Sequence, residues 1–167
     1  LGGREDMSEQ SLETRVDQLE KELERVKTLY EKAFHYGHSD PEVALSQARK
    51  AAEAICRQIY VQERLDRKGK PARKAMLNDL IQALDRAEVV PRHITVSLGT
   101  IQAFGNFGTH DQGEASTAIT SEYIQPCLQA LTNVVDWYFE SYGETANVEL
   151  PSRPRISTET DAPSTQD

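Results

Sequence analysis

The residues with the clearest capacity for chemistry are Gly105-Asn106-Phe107-Gly108-Thr109-His110. The His110 imidazole can exchange a proton near neutral pH, and it can donate, accept or ligate a metal. Asn106 can bond neighbouring backbone. Gly105 and Gly108 allow a tight turn. The segment lies between one helical pattern ending near Phe104 and another starting near Thr120. Its plain structural reading is that Gly105-Asn106 ends a helix. Asn106 then bonds backbone across the turn, and His110 faces the interior end of a bundle or a partner. A second stretch, residues 64–74, carries six basic side chains, Arg64, Arg67, Lys68, Lys70, Arg73 and Lys74, against one acid, Asp66. It could hold a phosphate or an RNA backbone. No aromatic interleaves it, so base stacking gains no support. A solvated basic loop is the simpler explanation.

Other chemistries find no residues to perform them. There is no serine triad, zinc spacing, phosphate-binding glycine loop or dinucleotide fingerprint. No cofactor and no metal site are expected. Cys56 and Cys127 stand far apart on apolar helical patterns and read as buried free thiols of a cytoplasmic protein. The net charge of −8 and pI near 5.1 argue against a surface built to grip nucleic acid throughout. No apolar run approaches the roughly 20 residues of a membrane helix.

Helices must position these groups. From Leu12 onward the apolar residues Leu12, Val16, Leu19, Leu23, Val26, Tyr30 and Ala33 alternate steps of four and three. This is a heptad seam of about three repeats. In a parallel pair the flanking positions would match Arg15 with Glu20 and Glu22 with Lys27. The seam therefore suits a homodimer, or a helix lying on its own domain. Residues 1–11 are read as a disordered start or a tag, and residues 12–36 as the heptad helix.

The break Gly37-His38-Ser39-Asp40-Pro41 ends that helix and opens the next. Four further helices are expected at 41–65, 72–87, 92–104 and 120–141. Ile55, Leu80, Leu98, Ile101, Leu128 and Val135 should share a core. The second helix carries an alanine-rich stripe that permits close approach. Val89-Val90-Pro91 separates the third from the fourth. Pro126 should bend the last helix or shift its start. Residues 143–167 are rich in Pro, Ser, Thr and acids, and read as a disordered tail or linker.

The order "ALSQARKAAEAICRQIY", a basic linker, "MLNDLIQAL", "VVP", "GNFGTH" and "YIQPCLQALTNVVDWYF" resembles the domain of unknown function four-one-four-five, of the HEPN-like superfamily. The resemblance covers about residues 40–142. It implies an antiparallel four-helix bundle, usually dimeric, often joined to other domains in bacterial defence or regulatory proteins. Many proteins of that superfamily are metal-independent ribonucleases whose motif is Arg, a polar residue, three residues, then His. Asn106 and His110 match the second and last positions, and Gly105 stands where the Arg would be. Cleavage by a 2′-OH needs a base and positive charge on the developing phosphorane. Arg92 and His93 lie about four helical turns upstream and cannot replace the Arg locally.

The expectation is an all-α fold, a HEPN-like bundle with an added N-terminal helix. The expected function is a non-catalytic oligomerisation or protein-interaction module. The alternatives are a ribonuclease using His110 and Asn106, and RNA or nucleotide binding by residues 64–74 without cleavage.

Overall fold

The computed structural model describes residues 2–67, 71–109, 120–146, 148, 149, 151, 152 and 154. The elements are α1 (Gly2–His35), α2 (Pro41–Gln62), α3 (Leu77–Arg86), α4 (Arg92–Thr109) and α5 (Gln125–Ala146), with 3-10 turns at Leu65–Arg67 and Ala72–Lys74. Among the described residues there is no strand. The fold is all-α.

The helix starts follow from local chemistry. Asp40 accepts a hydrogen bond from the Val43 N–H at 3.2 Å, and Pro41 occupies the first turn of α2 where its missing N–H costs nothing. At α3 the Asp79 carboxylate accepts from the Met76 N–H at 3.2 Å. The proline at 126 sets the start of α5: that helix begins at Gln125 instead of 120, so Pro126 falls inside the first turn. Ahead of it, the Thr120 hydroxyl accepts from the Tyr123 N–H at 3.4 Å and closes a turn.

Four long helices form a closed ring: α1 packs on α2 and α5, and α4 packs on α2 and α5. Neighbours run antiparallel. The last turns of α4 meet the turn ahead of α5 through Phe104 and Tyr123, whose ring centroids lie 5.7 Å apart. Ile55, Leu80, Leu98, Ile101, Leu128 and Val135 are all buried in one core. Ala44, Ala48, Ala51 and Ala52 are fully buried, so the α2 backbone can approach its neighbours closely.

The membership of the ring differs from the expected one. The fourth pillar is α1, and α3 is a ten-residue cross-piece against α2 and α4. At about 1.5 Å per residue α3 is too short to span the bundle. The heptad residues Leu19, Leu23, Val26, Tyr30 and Ala33 are buried in this chain's own core. The seam is thus intramolecular from Leu19 onward, and those residues cannot also zip two copies together. Burying Leu19, Leu23 and Val26 contributes roughly 1.5–3 kcal/mol each, so the pillar outcompetes an exposed seam.

Both ends of the chain carry more structure than expected. Helix α1 reaches back to Gly2, through the segment read as a disordered start. Helix α5 runs on to Ala146, which is buried, and Val148 packs against the core. The Val148 N–H donates to the Gly143 carbonyl at 3.0 Å, and Pro151 is buried. A polar composition hid a few apolar residues that fold back on the bundle. The rest of the expected tail, residues 155–167, lies outside the described residues.

Candidate functional site

As far as Thr109 the glycine motif is helix and not a turn. Helix α4 continues through Gly105, Asn106, Phe107, Gly108 and Thr109. Gly105 is buried and takes ordinary helical backbone angles, so the expected helix end at Gly105-Asn106 is corrected. Phe104, half-buried against the core, helps hold this turn of helix in place. His110 lies outside the described residues, as do Lys68 and Lys70.

Gly105 does have a specific neighbour. A Cβ at this position would sit 3.1 Å from Cδ of Arg49 on α2. The glycine leaves room for the arginine stem. Arg49 donates from Nε to Glu53 at 3.2 Å, and Glu53 accepts again from Arg57 Nη1 at 3.5 Å. These three half-buried side chains form an i, i+4 ladder along α2. Arg57 Nε is buried with no hydrogen-bond partner.

The described residues of the basic linker disperse. Arg64 is exposed and ends α2 with φ 59°, a left-handed angle that favours glycine. Lys74 is exposed, and the Arg67 backbone lies in a 3-10 turn. Arg73 instead lines an open groove of about 530 Å³ between α1 and α2. The groove is built from Glu22 and Arg25 of α1, Arg57 and Val61 of α2, and Asp66 and Arg73 of the linker. Three arginines therefore line the groove from three segments, against two acidic residues. Arg25 and Glu22 are a loose exposed pair at 3.9 Å, which leaves the Arg25 charge available.

On the other side of α1 the charge is reversed. An open groove of about 400 Å³ is lined by Glu20, Glu24 and Glu149 with Lys27, over Ala146 and Val148. Glu22 and Lys27, expected to pair across a dimer, thus face opposite grooves of one bundle. Sequence reasoning missed Arg25 and Arg57. The 49–53–57 spacing was a visible signal for Arg57, whereas nothing local marked Arg25.

Burial controls the titratable core groups. It pushes the Cys56 thiol up to about 12, reinforced by Glu53 and opposed by Arg57. Cys127 is pushed up to about 12 by burial alone. Both thiols are free and stay protonated near neutrality, so neither is a ready nucleophile. Among the described residues no group of three or more His, Cys, Asp or Glu is placed to hold a metal ion. Likewise, no helix among them is long and apolar enough to cross a membrane. No family model, curated protein or solved structure matches this chain.

Proposed function

We propose that this chain is a non-catalytic oligomerisation and protein-interaction module of a larger bacterial regulatory or defence protein acting in the cytoplasm. The bundle would be of the HEPN-like kind, with α1 as its fourth pillar. One observation carries the interaction reading: α1 outruns the bundle. Its 34 residues measure about 51 Å, against about 33 Å for the 22 residues of α2. Between residues 11 and 18 no side chain is buried, and Leu12, in register with the core seam, is 56% exposed. An isolated helical end of this length is marginal in water. A partner that covers Leu12 and the half-buried Val16 would stabilise it.

The test is light scattering on the full chain, where twice the chain mass is expected. Leu12→Asp should shift the protein towards monomer, because a buried carboxylate in the seam is costly. A full chain that stays monomeric at every accessible concentration overturns the reading.

A second reading has one observation in its favour. The Arg49 stem packs on Gly105, so an arginine of α2, its Nε held by Glu53 at 3.2 Å, stands beside the motif that lacks its own. The ribonuclease alternative with Asn106 and His110 would then take its phosphate ligand from α2. The assay is metal-free incubation with single-stranded and structured RNA. The module reading expects no cleavage above that of His110→Ala. Cleavage lost in both His110→Ala and Arg49→Ala would establish the alternative.

A further inference from the structure

We infer that the groove between α1 and α2 receives the N-terminal end of α1 from a second copy of this chain. The inference rests on the self-association proposed above and specifies where the projecting helix goes. The first argument is charge. Residues 2–17 contain Glu5, Asp6, Glu9, Glu13 and Asp17 against Arg4 and Arg15, so the end of α1 is acidic. Of two grooves that flank α1, one presents Arg25, Arg57 and Arg73 against Glu22 and Asp66 and is net basic, and the other presents Glu20, Glu24 and Glu149 against Lys27 and is net acidic. An acidic helix is steered to the first and repelled by the second.

The second argument is position. The basic groove lies at the end of the bundle from which α1 projects, since it joins Glu22 and Arg25 to Val61 near the end of α2. Consider an antiparallel pair of α1 helices that sets Leu12 of each copy against Val16 of the other. Residues 3–6 of one copy then lie level with residues 22–25 of its mate. The arrangement is twofold, so each copy gives one helix end and one groove and the assembly closes as a dimer. Exposed Leu12 is covered at the centre, and Val61, which is 47% exposed, is covered at the rim.

The experiment measures the dimer dissociation constant by analytical ultracentrifugation of the full chain. The variant Arg25→Glu/Arg73→Glu changes two exposed side chains, so folding, checked by circular dichroism, should persist. Its dissociation constant should rise on the order of tenfold or more. Adding Glu5→Lys/Glu9→Lys to the same chain should restore the original constant. If Leu12→Asp dissociates the dimer but Arg25→Glu/Arg73→Glu does not, the groove is not the receiving site and the inference falls, while self-association stands. Loss that the lysine variants do not restore also overturns it, because the occupant is then another segment. A monomeric parent chain removes both proposals.

Discussion

The Tyr30 hydroxyl lies 3.0 Å from the Thr132 hydroxyl inside the core, joining α1 to α5 across 102 residues of chain. Thr132 donates its own proton to the Leu128 carbonyl at 3.1 Å, so Tyr30 acts as the donor between them. The Tyr30 ring meets Phe34 edge to face at 5.3 Å. This pair locks the heptad helix into the bundle. Tyr30→Phe keeps the packing and removes one buried hydrogen bond, for a loss of about 0.5–1.5 kcal/mol. Urea denaturation should show it. A double-mutant cycle with Thr132→Val should give a coupling of about 0.5 kcal/mol or more.

The glycines separate into positions that tolerate a side chain and one that does not. A Cβ at Gly99 meets nothing within 4 Å. Gly99→Ala should therefore stabilise by about 0.5–1 kcal/mol, the helix-propensity difference. A Cβ at Gly143 would lie 3.0 Å from the Val148 carbonyl oxygen, a backbone atom held by the returning chain. Gly143→Ala should lower the melting temperature. Gly105→Ala should fall between them, since the Arg49 stem can move.

The N-terminal helix divides in function along its length. Leu19, Leu23, Val26, Tyr30 and Ala33 are core residues, so deletion of residues 1–36 should abolish cooperative unfolding. Deletion of residues 1–15 removes no side chain described as buried. That shorter protein should melt cooperatively and run as a monomer in light scattering. A dimer as tight as the parent would place the contact on the bundle instead.

Alkaline pH should unfold the protein. Burial raises Cys56 and Cys127 from 9.0 to about 12. Tyr142 rises from 10.0 to about 12, through burial first and then the nearby Glu63. Tyr138 is raised as well, by burial first. In each case the folded value lies above the unfolded one. Below pH 9 the folded state keeps its full advantage. Between about pH 9 and 12 the unfolded chain loses protons that the folded chain retains, so stability falls with rising pH. Denaturation midpoints across that window should decline steadily. Cys56→Ala/Cys127→Ala should flatten the decline. At pH 8 neither thiol should react with a thiol reagent until the protein unfolds.

The left-handed residues offer a local check. Arg64 and Glu88 adopt φ of 59° and 55° just beyond α2 and α3. Non-glycine residues pay a steric penalty there, so Arg64→Gly and Glu88→Gly should each raise stability by up to about 1 kcal/mol. Thermal melts of the two variants test this directly.

The helical content and the shared core were legible because they depend on local periodicity. An apolar residue every three or four positions dictates which face of a helix leaves water, whatever it packs against. Ile55, Leu98 and Val135 were identifiable on that ground, and backbone chemistry marked a helix start at Pro41 and a bend or a shifted start at Pro126, of which the structure shows the shift. Periodicity does not say what covers the apolar face. The stripe from Leu19 to Ala33 reads the same whether its mate is a second copy or α2 and α5 of the same chain. Only the packed bundle settles that, by burying Tyr30 against Thr132. Glycine at 105 likewise reads as a helix end until Arg49 is seen to cross it, because a glycine can mark either a turn or a close approach. The basic groove was the least legible feature. Arg25, Arg57 and Arg73 are far apart in sequence, and they meet only because three segments converge at one end of the bundle.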